Sequence, residues 1–110
     1  MSDAAKARAV LEMVALHYRV RVQDLLGSRR HLTLTRVRAL AMYLVRRHTH
    51  MSFPELGRLF RKHHTTVLAA WRRAHDLIGQ DMETALTVID VGRALEKRVS
   101  LLADPSRRSA

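Results

Sequence analysis

An apolar repeat of three and four residues runs almost from end to end of this chain, and it restricts the fold more than any other feature. Only two prolines and four glycines interrupt the 110 residues, and alternation of β-branched with polar side chains is scarce. Such spacing gathers apolar side chains on one helix face and gives a strand no buried side. The expected fold class is all-α, a compact bundle of about six helices. It forms one domain over residues 1–103, with a flexible C-terminal tail at 104–110.

A first helix is expected from about Ala4 to His17, one face of it marked by Ala7, Val10, Val14 and His17. Val22, Leu25 and Leu26 suggest a short second helix, ended by Gly27 in the left-handed conformation. An arginine-dense loop from Ser28 to Thr33 leads into a long third helix on Leu34, Val37, Ala41, Leu44 and Val45, reaching about His48. Ser52 and Glu55 have capping-box spacing, and Pro54 falls in the first turn, where its missing N–H costs nothing. Leu56, Leu59 and Phe60 complete that short fourth helix. A fifth begins near His64, with Val67, Leu68, Trp71, Ala74 and Ile78 as its core stripe. Gly79 predicts a break and Asp81 a cap for a sixth helix, whose apolar positions are Leu86, Ile89, Val91, Leu95, Val99 and Leu102. Gly92 within it costs roughly 1 kcal/mol relative to alanine and predicts a bend or close packing. Two helices joined by about three residues within Ser52–Ile78 have the proportions of a helix-turn-helix, whose second helix meets the major groove through its first turn.

Charge points the same way. The formal net charge is +10, and residues 29–73 alone carry eleven cations against Glu55. The flanking segments are nearly neutral. A field confined to one stretch is the footprint of a polyanion partner, here double-stranded DNA. The run Arg61-Lys62-His63-His64-Thr65-Thr66 places cations, imidazoles and hydroxyls where the fifth helix starts. Unpaired N–H groups and the positive dipole end favour anions at such a turn, and short polar side chains can reach base edges from it.

Other classes are poorly served. There is no Cys, hence no disulfide and no thiolate metal site. No run of 18 apolar residues spans a membrane, and no amphipathic face with exposed aromatics opposes the cations. The first residues lack the apolar core of a secretory signal, so the expected location is cytoplasmic, on the nucleoid. His48, His50, His63 and His64 lack a full ligand set, and no metal is expected. Nothing supplies an oxyanion site or a nucleophile elbow, so the chain reads as no enzyme, with no catalytic residues and no cofactor. The spacing of Trp71 places it in the core rather than against a base.

Several ordered motifs then resemble one family. Val14-Ala15-Leu16-His17-Tyr18-Arg19-Val20-Arg21-Val22-Gln23-Asp24-Leu25-Leu26-Gly27-Ser28-Arg29-Arg30 is similar to the opening of the C-terminal DNA-binding domain of the bacterial replication initiator DnaA. Arg36 to Leu44 resembles its long helix, Ser52-Phe53-Pro54-Glu55-Leu56-Gly57 its S-x-P-E-[IL]-G element, and His64-Thr65-Thr66-Val67-Leu68 its H-T-T-V-L signature. The resemblance runs from about Val10 to Leu102. It implies base contacts from His64 and Thr65, a phosphate at Thr66, a minor-groove arginine at Arg30, and backbone contacts from Arg38 and Arg46. With the charge pattern, the full expected set is Arg30, His63, His64 and Thr65 on bases. Arg29, Arg36, Arg38, Arg46, Ser52, Arg61, Lys62, Thr66, Arg72 and Arg73 are expected on phosphates.

The departures are informative. The family has a Gly-Gly-Arg-Asp turn before H-T-T. Here Phe60 is followed by Arg61-Lys62-His63, one residue shorter and without Gly or Asp. A carboxylate that accepts from cytosine is lost, which implies a shifted target site. Val37 and Ala39 replace a proline and a glutamine common in the family. No G-x-x-x-x-G-K-[ST] phosphate loop occurs, so the expectation is a free-standing domain with no bound nucleotide, and a monomer because one continuous apolar stripe is needed to close the bundle. It would regulate replication initiation or transcription by occupying a site. The alternatives are an architectural binder without sequence choice and a basic adaptor for a replication protein.

Overall fold

Six helices make up the computed structural model over residues 1–103, the part described below: α1 (Asp3–Tyr18), α2 (Val22–Leu25), α3 (Leu32–His48), α4 (Phe53–Phe60), α5 (His64–Gln80) and α6 (Met82–Ala103). The tail expected at 104–110 lies outside the described residues.

The centre of the bundle is α3. Every residue from Val37 to Val45 is buried, so the helix has no solvent side over that stretch. A helix apolar all round must be enclosed by others. Ala7, Val10, Leu11 and Val14 of α1 cover it, Leu56 and Phe60 of α4 join the same core, and so do Val67, Ala70 and Ala74 of α5. The last helix, α6, closes over α1, with His17 Nε2 and Thr87 Oγ1 3.2 Å apart and Arg98 3.7 Å from Glu12.

Local chemistry sets the helix ends. Ser52 Oγ accepts from the Glu55 amide while Glu55 accepts from the Ser52 amide and hydroxyl, the reciprocal cap read from the sequence. Those bonds hold the Glu55 carboxyl below the usual carboxylate range. Asp81 accepts from the Thr84 amide and hydroxyl at the start of α6, and its carboxyl is lowered in the same way. The C-terminal ends of α1 and α4 close on Arg19 and Arg61, both left-handed at φ 56° and 57°. At α4 the Lys62 amide donates back to the Gly57 carbonyl at 2.9 Å and the Arg61 amide to Arg58 at 3.4 Å. The Val20 and Arg19 amides repeat this pattern on Ala15 and Leu16. It is the double-bonded helix ending usually given to glycine.

Four expectations change. Gly27 is not left-handed; no glycine among the described residues has positive φ, and the turn positions needing it fall on Arg19 and Arg61. Gly79 does not break α5, which runs on to Gln80; nothing approaches the site of its missing Cβ within 4 Å. The third helix starts two residues early, at Leu32, with Thr35 Oγ1 donating to the His31 carbonyl in its first turn. In α6 the buried line runs through Thr84, Thr87, Val88, Val91 and Leu95, while Leu86, Ile89 and Leu102 are exposed. Two threonines carry the inward face because each hydroxyl has a partner, so an apolar count mistakes the phase of the helix.

Gly57 is where α4 and the following turn approach most closely. A Cβ there would stand 2.7 Å from the Lys62 carbonyl oxygen and 3.4 Å from the His64 amide nitrogen. Backbone cannot move aside as a side-chain tip can. Gly57→Ala is therefore expected to lower stability by about 1–3 kcal/mol, through overpacking, in a denaturant melt. A neutral result would mean that the turn is looser than described.

His48 rests against Gly92, with Cε1 3.7 Å from where a Cβ would be, and its Nε2 is buried without a hydrogen-bond partner. Burial pushes its pKa below the ordinary 6.5, helped by the charges of Arg47 and Lys6 and opposed by Glu96. A depressed imidazole contributes stability in full above its unfolded value and loses it as pH falls through the folded one. Thermal melts are expected to show stability dropping below about pH 6.5, and His48→Gln should flatten part of that slope. An unchanged slope in the variant would remove His48 from the account.

Candidate nucleic-acid interface

The turn between α4 and α5 is three residues, Arg61 to His63, and it gives the pair helix-turn-helix form. His63 is the N-cap of α5. Its Nδ1 accepts from the Thr65 amide at 3.3 Å and lies 2.7 Å from Thr65 Oγ1. The amide can only donate, so Nδ1 is the unprotonated nitrogen and the ring proton sits on Nε2. An imidazole thus does the capping work of the missing carboxylate. The rings of His63 and His64 are 4.3 Å apart. Neighbours within one helix turn away from each other; these meet because His63 lies outside the helix, in extended backbone.

His63, His64, Thr65 and Thr66 are all exposed, as are Arg72 and Arg73 further along α5. Arg29 and Arg30 are exposed on the loop before α3, and Arg36 on α3 itself. A cleft of about 450 Å³ joins these elements, lined by Arg30 and His31 on the loop side, by Lys62, Thr66 and Arg73 on the α5 side, and by Arg38. The loop arginine and the α5 threonine therefore share one surface. His31 and Thr35 line it too and were not in the expected set; His31 stands beside Arg30 in sequence, and that adjacency is the signal that could have included it.

Three residues expected on phosphates already have partners within the fold. Arg38 is only 5% exposed, and its Nε and Nη1 donate to the carbonyls of Asp24 and Arg29. Burial lowers its pKa, with Asp24 opposing. Arg46 donates from Nη1 to the Met51 carbonyl at 2.9 Å, and its guanidinium lies 3.9 Å from the centre of the Phe53 ring. It ties α3 to the start of α4, where cation–π attraction and a carbonyl hold it. Ser52 spends its hydroxyl on Glu55. Trp71 is half-buried between Tyr43 at 5.8 Å, Phe53 at 6.0 Å and His75 at 5.3 Å, a packing role. Among the other histidines, His50 pairs with Asp3 at 3.5 Å and His48 faces α6, so neither stands with His63 and His64.

Helix α4, the three-residue turn and α5, flanked by a cationic loop, define an all-α helix-turn-helix domain. The family model for the bacterial DnaA protein helix-turn-helix matches residues 7–74, and the chain belongs to that family. The chromosomal replication initiator protein DnaA of Brucella abortus is 47% identical over 77 residues, covering 69% of this chain and 16% of that protein. The protein of the same name from Synechocystis is 33% identical over 93 residues, 84% of this chain and 21% of the relative. This chain thus spans about a fifth or less of the curated relatives it matches. A crystal structure of a DNA replication initiation factor superposes with a TM-score of 0.74 at 30% identity, over 87% of this chain and 30% of that one. Among the described residues, no helix is long and apolar enough to cross a membrane.

Arg61 holds the left-handed position that costs a side-chain-bearing residue about 1–2 kcal/mol. Arg61→Gly is expected to raise stability by about 1 kcal/mol in a denaturant melt. A loss of stability would show that the guanidinium makes a stabilising contact that outweighs the backbone strain.

Proposed function

We propose that this protein binds double-stranded DNA selectively through α5 and the preceding loop, and regulates replication initiation or transcription by occupying its site. The observation that carries the reading is the shared cleft: Arg30 on one wall, Lys62, Thr66 and Arg73 on the other, beside an exposed His64 and Thr65. A duplex laid across it would put the first turn of α5 in the major groove and Arg30 in the adjacent minor groove, where a narrow groove attracts arginine. The family match and the likeness to replication initiators support the same reading.

In this arrangement His63, His64 and Thr65 face base edges. The Thr65 hydroxyl is turned back on His63, which leaves contact with a thymine methyl as its outward readout. Arg29, Arg36, Arg61, Lys62, Thr66, Arg72 and Arg73 hold phosphates. The protein acts as a monomer on the nucleoid, without a nucleotide or other cofactor.

Selection from a random duplex pool tests this. An enriched motif is expected, and binding to it should weaken with salt at a log–log slope of about −5 for roughly six neutralised phosphates. Thr65→Ala should lose about 1–3 kcal/mol on the selected site and much less on random duplex. A pool with no enriched motif would leave an architectural binder. Tight capture of an acidic replication protein that survives loss of His64 and Thr65 would favour the adaptor.

A further inference from the structure

The geometry points to Arg38 as a positioning residue: a guanidinium that clasps the basic loop from inside, so that Arg29 and Arg30 meet DNA already in place. This rests on the DNA-binding reading above. Arg38 projects from the enclosed helix α3 and is itself buried. Its Nε donates to the Asp24 carbonyl at 2.9 Å, in the last turn of α2, and its Nη1 to the Arg29 carbonyl, inside the loop. A helix end leaves such carbonyls without partners, and an irregular loop does the same. One planar fork satisfies both at once and fixes the two ends of the crossing relative to α3.

The third nitrogen, Nη2, is buried without a hydrogen-bond partner. Gly27 passes over it; a Cβ there would lie 3.8 Å from Nη2 and 3.1 Å from the Gln23 carbonyl oxygen. The Asp24 carboxylate supports the charge from nearby but is itself bonded by the Arg21 side chain at 3.0 and 3.1 Å. A cation with two of its three nitrogens committed to carbonyls and only 5% exposed has little left to offer a phosphate. A lysine would bring one freely turning nitrogen where these two carbonyls are met by two nitrogens fixed in one plane, and an apolar residue would bring none. The ordering of the loop is then met when the chain folds, and binding gains by that much.

The clasp is read first without DNA. The Arg38 Nε–H proton in the free protein is expected to exchange slowly with water, and those of Arg29 and Arg30 fast. Fast exchange at all three overturns the clasp. Arg38→Gln and Arg38→Lys should speed amide exchange over residues 27–31 with α5 still protected.

The second measurement is affinity for the selected duplex in two backgrounds. Arg38→Gln is expected to weaken binding about tenfold in the natural chain and less than about twofold once Arg29 and Arg30 are alanine, because the clasp acts only through them. Equal losses in both backgrounds, with the salt slope falling by about one on every duplex, would make Arg38 a phosphate contact and overturn the inference. Should Arg38→Gln fail to fold, Arg38→Lys keeps the charge without the planar fork, and must show the same background dependence. If the natural chain binds no duplex, the functional reading fails, while the exchange measurements still decide the clasp.

Discussion

A helix with nine consecutive buried residues cannot be an outer layer, and α3 is in that position from Val37 to Val45. Its enclosure decides where everything else stands. The first helix must cover one side and α5 another, so the first turn of α5 emerges at one end of the central rod. The loop before α3 emerges close by, because α3 itself begins there. Juxtaposition of a loop arginine with the first turn of α5 is therefore a result of hydrophobic burial. The single charged residue within the buried stretch, Arg38, is the point at which the core reaches out to hold that loop.

Much of this was legible from residue order. Ser52, Pro54 and Glu55 announced the start of α4 because a reciprocal cap needs those side chains at that spacing. His64 to Leu68 announced α5 in the same way. The phase of α6 was not legible, since Thr84 and Thr87 face inward and a hydroxyl with a partner behaves as an apolar residue in packing. Gly79 misled because a single glycine costs a helix only about 1 kcal/mol, and α5 runs on through it to Gln80. At the interface, sequence reading identified which cations cluster but not which ones are spoken for. Arg38, Arg46 and Ser52 lie in the basic segment, yet each is consumed by carbonyls, a ring or a cap. Those partners come from residues 3 to 14 positions away, in conformations that charge counting cannot resolve.

The two left-handed arginines show a related compromise. Arg19 and Arg61 sit where glycine would be relaxed. At Arg61 the strain places a cation in the turn that joins the two helices of the motif, next to Lys62 and the imidazole cap. Local backbone strain at such positions persists where surrounding structure over-determines it, and here the doubly bonded end of α4 and the tight approach at Gly57 do so.

The cap itself has one more implication. With Nδ1 of His63 turned inward as an acceptor, the opposite nitrogen carries the only proton of the ring. On the proposed reading, an aspartate at this place offers a base nothing but lone pairs, whereas this imidazole offers nothing but hydrogen. The polarity of the question put to the groove is inverted: cytosine's amino group finds no answer, and the N7 or O6 of a purine does. A single exchange at the mouth of a helix can thus redirect a lineage of binding proteins to new addresses while leaving the scaffold beneath it intact.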